Sequence, residues 1–194
     1  MSEGFQPRRG GGAVATFNGF EADLLRSLAS QLVELLRSEV AGPTKSNDPL
    51  EELLDFNGPT SEPEDPVLAR LFPNAYPADE EAAGEFRRFT ETGLRDGKVR
   101  GAMAMIEALE EAGLPEEVDD EQMYVDVELA GGRALDWLKS LTDIRLALAT
   151  RLGIEEGDED YWHALPDDDP RAHVHAIYEW VGYLQETLVE SLGS

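Results

Sequence analysis

The chain contains no cysteine, so disulfides, thiolate metal sites and thiol redox switches are all excluded within it. Basic residues are scarce as well: 16 Lys and Arg stand against 41 Asp and Glu, a formal net charge of −25 over 194 residues. So negative a surface repels phosphate backbones and anionic lipid headgroups. Long hydrophobic runs are also missing, since no stretch approaches the roughly 18 apolar residues of a membrane span. We therefore expect a cytoplasmic protein with no direct nucleic-acid or membrane partner.

Residue groupings that carry chemistry are absent from the sequence too. It has no Gly-x-Ser-x-Gly elbow, no phosphate-binding glycine loop and no stretch with the spacing of a calcium loop. His173 and His175 lie about 200° apart around a predicted helix, so they cannot chelate one ion. We expect His173 to border the apolar face of this helix and His175 to face outward. The sequence therefore predicts no catalytic residue, no metal and no cofactor, and a protein that is not an enzyme.

Apolar residues recur at helical spacing in four long segments, namely 20–40, 79–112, 130–152 and 170–192. The first segment begins with the outline of a capping box, because Asn18 is followed three positions later by Glu21. The second contains three glycines where its apolar stripe changes phase, so we expect a kink or break near 93–98. An Asp-Pro pair, which caps and starts helices, precedes the last long helix and two short ones, at 49–56 and 66–72.

Two further segments, 13–17 and 124–129, have the composition or alternation of strands. Each is the only plausible partner of the other, so they predict a small sheet. Residues 1–12 end in three glycines and are expected to form a flexible N-terminal arm, followed by one helix-rich domain over 13–194. The predicted fold class is mainly α (α+β): a bundle of about four long helices with short helices and a small antiparallel sheet.

One residue breaks the apolar pattern of the helix over 130–152. Leu141 and Leu148 help to define an apolar arc, and Arg145 falls in the middle of it. Because unpaired burial of a guanidinium is costly, a buried Arg145 would need a carboxylate or a set of carbonyls beside it. Two interpretations stay open: a buried, paired arginine that fixes the helix register, or a contact with a ligand or partner. If Arg145 is buried, Arg145→Leu should be tolerated better than Arg145→Ala, since leucine refills the apolar volume.

The scarce basic residues cluster in 86–101, where five of them stand against only two acidic ones. Arg87 and Arg95 each lie four positions from Glu91, so ion pairs within one helix account for the cluster. Alternatively, Arg87, Arg88 and Arg95 form a positive patch that contacts an acidic partner or this protein's own acidic surface. Charge reversal at Arg88 and Arg95 should then weaken partner binding. We do not expect so small a basic cluster to bind duplex DNA, because the net negative charge of the chain repels the phosphate backbone.

Four strings in the chain together resemble one known family. They are DPVLARLFPNAY (65–76), EFRRFTETGLRDGK (85–98), WLKSLTDIRLALATRLGI (137–154) and YEWVGYLQETLVESL (178–192). In this order they are similar to an actinobacterial family of unknown function, some of whose members are called oxidative stress regulators, AosR-like. The resemblance extends over nearly the whole chain.

The resemblance implies a cytoplasmic, non-enzymatic protein that acts on transcription through a sigma factor of RNA polymerase. It also implies a gene neighbourhood shared with the Clp protease adaptor ClpS, so an accessory role in Clp-dependent proteolysis is an alternative. The redox sensing attributed to such regulators needs a cysteine pair, and this chain has no cysteine to supply it.

The residues themselves leave one more alternative, a small-molecule-binding protein or enzyme with a pocket around Arg145. A concave pocket with Arg145 exposed at its floor would favour that alternative. A closed core with an ion-paired Arg145 would instead favour a protein-binding module.

Overall fold

A computed structural model describes residues 3–38, 58–119, 123–166 and 168–193. The elements within these ranges are, in chain order, β1 (Gln6–Pro7), β2 (Ala13–Asn18), α1 (Gly19–Ser38), α2 (Pro66–Leu71), α3 (Glu80–Glu111), β3 (Tyr124–Leu129), α4 (Gly131–Leu152), α5 (Glu159–His163) and α6 (Pro170–Leu192). The predicted fold class is confirmed: four long helices, α1, α3, α4 and α6, accompany short helices and an antiparallel sheet. The expected short helix over 49–56 lies outside the described residues.

The sheet has the strand order β1-β2-β3, and both pairings are antiparallel. In the β2–β3 pair Ala15 lies opposite Val127, and Phe17 lies opposite Val125. These four side chains are buried on one face, as the alternation in the sequence requires. The sheet therefore closes one side of the helical core.

The N-terminal arm expected over 1–12 is not loose in residues 3–7, which is a correction to the sequence prediction. Phe5 is buried in the core, and its ring contacts Phe17 and Trp137 edge to face, with centroids 5.9 and 5.7 Å apart. The Phe5 amide donates to Thr187 Oγ1 of α6 at 3.1 Å. At the next residue the chain joins the sheet as β1, which pairs with β2. A buried aromatic ring, a hydrogen bond to α6 and strand pairing together hold this segment on the domain.

The capping box at the start of α1 is formed as expected. The Glu21 amide donates to Asn18 Oδ1 at 2.9 Å, and the Asn18 amide donates to Glu21 Oε2 at 3.0 Å. The leucine stripe of α1 then packs inward, with Leu25 and Leu36 fully buried. The described part of α1 extends to Ser38.

The break expected near 93–98 is absent, because α3 runs unbroken for 32 residues. Gly93 and Gly97 face open space, whereas Gly101 packs against α4, where an added Cβ would lie 3.1 Å from Ser140 Oγ. Glycine inside a helix costs about 1 kcal/mol relative to alanine. Packing of α3 against α1 and α4 outweighs this cost.

Helix α4 lies at the centre of the fold and packs against α2, α3 and α6. Its Trp137 is fully buried and stacks on Phe17, with ring centroids 6.4 Å apart. Gly153 ends the helix in the left-handed conformation, at φ 73°. None of the helices in the described ranges has both the length and the apolar character needed to cross a bilayer.

The charge on Asp169, the cap of α6, predicts a specific dependence of stability on pH. Hydrogen bonds from the Arg171 side chain and amide lower the pKa of Asp169 from 3.8 to about 2. Because this pKa is depressed, the stabilisation is present above the unfolded-state pKa and is lost as the pH falls towards 2. In acid titrations of unfolding, Asp169→Asn should be less stable than wild type at neutral pH and converge with it near pH 2. Asp168→Asn, next to the cap, is the control and should follow wild type throughout.

Candidate functional site

A wide cleft of about 1030 Å³ opens between α4, α5 and α6. Its floor includes Leu146 and Ala149 of α4 and Ile154 of the following loop, all only partly buried. A second depression of about 540 Å³, between α2 and α4, shares these three residues. The C-terminal half of α4 is therefore the floor of one continuous concave surface, with α2 on one side and α6 on the other.

Arg145 lies exposed in this cleft and not in the core, which corrects the interpretation of a buried, paired arginine. The buried face of α4 includes Trp137, Leu141 and Ile144, so the leucine arc around Arg145 lies only partly on this face. Leu148 of that arc is only partly buried. Arg145 consequently sits at the edge of the buried face, where its head group reaches the solvent.

The guanidinium of Arg145 is held against α6 by three contacts. Its carbon atom lies 5.0 Å from the centroid of the Tyr178 ring, and Nη1 lies 3.4 Å from Gln185 Oε1. A Cβ on Gly182 would come within 3.3 Å of the guanidinium, so the glycine provides the space. Arg145 makes no ion pair with any residue in the described ranges. Most of its five N–H donors are therefore unused by the protein.

Because Arg145 is exposed, its substitution should change stability little. We expect Arg145→Leu and Arg145→Ala each to lower the free energy of unfolding by less than about 1 kcal/mol, the value of an exposed cation–π contact. Urea unfolding of the two variants beside wild type measures this. A buried leucine side chain has a transfer free energy of about 2 kcal/mol. If the free energy of unfolding of Arg145→Leu exceeded that of Arg145→Ala by this amount or more, position 145 would be buried.

Aromatic and histidine rings line the end of the cleft beside α5. Trp162 is buried and stacks on His175, with centroids 5.3 Å apart and ring planes 9° apart. His163 Nε2 lies 3.0 Å from Glu179 Oε1, and His175 Nδ1 lies 3.7 Å from the other oxygen of the same carboxylate. Among the described residues, no three His, Asp or Glu side chains are grouped so that they could hold a metal ion.

The positions of the two α6 histidines are the reverse of those expected. His175 is 8% exposed and packs on Trp162, whereas His173 is exposed. Trp162 belongs to α5, a helix of five residues. A short helix of this kind leaves no apolar periodicity in the sequence, so nothing marked His175 as a buried residue.

Asp158 organises the loop that leads into α5. Its carboxylate accepts hydrogen bonds from the Glu155 amide at 2.9 Å and from Trp162 Nε1 at 2.7 Å. These hydrogen bonds, the Glu155 amide first, lower the pKa of Asp158. Asp158 therefore holds the Trp162 indole in place beside His175.

The cleft has a strongly negative lining. Seven carboxylates and two guanidiniums line it: Glu155, Glu156, Asp158, Glu159, Glu179, Glu186, Glu190, Arg70 and Arg145. The side chains of Glu156, Glu159 and Glu186 make no ion pair or hydrogen bond with the residues that the structure describes. Their charges are therefore available to a binding partner.

The other candidate arginines are not part of the cleft. Arg87 and Arg95 are buried on α3, and both pair with Glu91, at 2.5 and 2.7 Å. Arg87 also donates to the Phe72 carbonyl at 3.0 Å, and Arg95 donates to the Leu36 carbonyl at 2.6 Å. Both guanidiniums are thus paired in the interior of the protein, so they cannot contribute to an exposed positive patch.

The remaining members of the basic cluster are dispersed as well. Arg88 is partly buried, with its guanidinium 5.8 Å from the Phe89 ring centroid. Lys98 pairs with Asp143 of α4 at 2.6 Å, and burial raises the pKa of that aspartate. The five basic side chains of 86–101 therefore do not share one solvent-facing surface.

Among known proteins, the relatives that are similar to this chain carry the same name. The oxidative stress regulator AosR of Mycobacterium tuberculosis (strain ATCC 25618 / H37Rv) is 29% identical over 184 residues, 87% of this chain and 77% of the relative. The putative oxidative stress regulator AosR of Mycobacterium leprae is 29% identical over 189 residues, 89% of this chain and 78% of the relative. No solved structure is significantly similar to this chain.

The resemblance seen in the four sequence strings is therefore confirmed. The model of a protein family described as a domain of unknown function, DUF2017, matches residues 2–192. Because this match covers almost the whole chain, the protein belongs to the DUF2017 family.

Proposed function

We propose that this protein is a non-enzymatic regulator of the stress response that acts in the cytoplasm by binding another protein. The partner we propose is a sigma factor of RNA polymerase. The names of the relatives, oxidative stress regulators, support the regulatory role. Thiol chemistry is not part of the proposal, because the chain has no cysteine.

The single observation that carries the proposal is the form of the cleft. It is wide and open, its floor is apolar, and carboxylates exceed guanidiniums in its lining. A small-molecule pocket typically encloses about 300–1000 Å³ and buries most of its ligand. The volume of the cleft, about 1030 Å³, lies at the upper end of this range, but the cleft is open and would leave much of a small ligand exposed, so its form is better suited to a segment of another protein. Its negative field would steer a basic partner towards it.

Affinity purification of the chain from its native host tests the proposal. We expect RNA polymerase components, a sigma factor among them, to be recovered with it, and purified sigma factor to bind it directly. Recovery of Clp components instead would support the accessory role in proteolysis. If no protein is enriched over a mock purification, the proposed function is wrong.

A second function, a small-molecule-binding protein or enzyme with a pocket around Arg145, is favoured by the arrangement expected for it: Arg145 is exposed in a concave cleft and has no ion pair among the described residues. A guanidinium with free donors is suited to bind the carboxylate or phosphate of a metabolite. Native mass spectrometry of the purified chain distinguishes the two functions. A bound small molecule that is lost in Arg145→Gln would favour the ligand-binding function, and turnover of that molecule would identify an enzyme.

A further inference from the structure

We propose that the cleft binds an amphipathic helix of the partner protein, with Lys or Arg on the polar side of that helix. The inference rests on the proposed function and names the chemistry of the partner segment. Grooves between helices commonly receive such helices, which place an apolar face on the floor and a polar face along the rim. Four properties of the cleft support this occupant.

The first property is continuity. The floor residues Leu146, Ala149 and Ile154 are shared by the main cleft and the adjoining depression, so the surface extends from α2 across α4 to α6. A compact metabolite would cover only part of it. A helix about 10 Å in diameter with its side chains would cover much more.

The second property is the apolar floor. Leu146, Ala149 and Ile154 are only partly buried by the protein itself, and Val189 is 52% exposed. Covering such side chains releases about 25 cal/mol for each Å² of apolar surface removed from water. The apolar face of a helix supplies that cover, whereas a polar, highly charged peptide would not.

The third property is charge. Glu156, Glu159 and Glu186 lie at the rim without an ion pair among the described residues. Lys or Arg on the partner would find a carboxylate there. An acidic partner would be repelled, both by these residues and by the net charge of the chain.

The fourth property is the Arg145 guanidinium, which lies exposed in the cleft and leaves most of its donors unused by the described residues. It can donate hydrogen bonds to a side-chain carboxylate or amide oxygen of a bound segment. Such a contact would set the register of the helix along the floor.

A binding assay with a defined probe tests the charge and the shape together. The probe is a fluorescein-labelled 18-residue helix with Leu and Ala on one face and Lys on the other. The control peptide has the same composition in scrambled order. We expect the probe to bind more tightly than the scrambled peptide, and to weaken as salt is raised. Equal affinity for the two peptides would contradict a helix-shaped site.

Charge-matched variants separate the cleft from the general field of the protein. The double variant Glu156→Lys, Glu186→Lys should bind the probe roughly tenfold or more weakly than wild type. Glu34→Lys with Glu110→Lys changes the net charge equally on exposed sites of α1 and α3, and should weaken it much less. Equal losses in the two variants would show that only the overall charge attracts the probe, and the inference would be wrong.

Photo-cross-linking identifies the natural occupant. With p-benzoylphenylalanine in place of Ala149 on the floor, we expect one segment of a partner to be cross-linked. Mass spectrometry identifies its sequence, which should be basic and should have apolar residues at helical spacing. The same group at Ala104 of α3 is the control. An acidic or non-amphipathic segment at Ala149, or the same segment at both positions, would overturn the inference.

The failure of this inference can be told apart from failure of the proposed function. If wild type captures a protein partner but the Ala149 probe never cross-links to it, the partner binds elsewhere and only the inference fails. If the helical peptide binds as expected but no protein partner is recovered from the host, the regulatory proposal fails.

Discussion

Glu91→Ala should lower the free energy of unfolding by about 3–5 kcal/mol, the usual effect of removing one partner from a buried ion pair. Glu91 is 2% exposed and its two carboxylate oxygens bind Arg87 and Arg95. Without the carboxylate, the two buried guanidiniums keep carbonyl, amide and aromatic partners but no anion among the described residues. For a domain of this length the melting temperature should fall by roughly 6–20 °C.

Two variants test whether unpaired charge is the cause. Glu85→Ala removes an exposed glutamate from the same helix and should cost less than about 0.5 kcal/mol. Replacing Arg87, Glu91 and Arg95 together by Met, Leu and Met should restore part of the stability, since no buried charge is then left alone. The explanation would be contradicted if Glu91→Ala were no more harmful than Glu85→Ala.

Phe5→Ala should destabilise the protein by about 3–5 kcal/mol, as truncation of a buried phenylalanine does. The ring is 4% exposed and contacts Phe17 and Trp137 edge to face. Its loss would leave a cavity between the sheet and α4. Urea unfolding followed by tryptophan fluorescence reports the change directly, because Trp137 is one of the rings that line the cavity.

Phe20→Ala is the matched control, since Phe20 is 48% exposed at the start of α1. This variant should cost less than about 1 kcal/mol. If Phe5→Ala and Phe20→Ala were equally mild, the N-terminal segment would contribute little to the stability of the domain.

The long helices could be predicted because each one carries local signals. Asn18 and Glu21 form the capping box that their spacing indicates, and Asp65 and Asp169 cap their helices. Strand β3 was equally predictable, because alternation with period two in Tyr124–Leu129 gives one buried face. Local hydrogen bonds and periodicity suffice for such elements.

The predictions that failed concern contacts between segments far apart in the sequence. Phe5 is a lone apolar residue among glycines and arginines, and only its contact with Trp137 makes it part of the core. The glycines of α3 do weaken a helix locally, yet packing against α1 and α4 keeps it continuous. No pattern in the neighbouring sequence expresses either fact.

The cleft was harder to foresee than the fold. Arg145 was singled out by its place among leucines, but the face of α4 that is buried depends on which helices pack on it. The rim comes from a loop, a five-residue helix and one side of α6. In a chain with 41 acidic residues, no sequence pattern distinguishes the carboxylates that end up around one cavity.

Gly182 has a consequence for any relative that shares this architecture. Because the guanidinium of Arg145 would lie 3.3 Å from a methyl group at this position, even alanine would crowd it. A larger residue there would push the arginine off the Tyr178 ring and out towards the solvent. The orientation of the Arg145 guanidinium on α4 thus depends on α6, where Gly182 has no side chain to obstruct it.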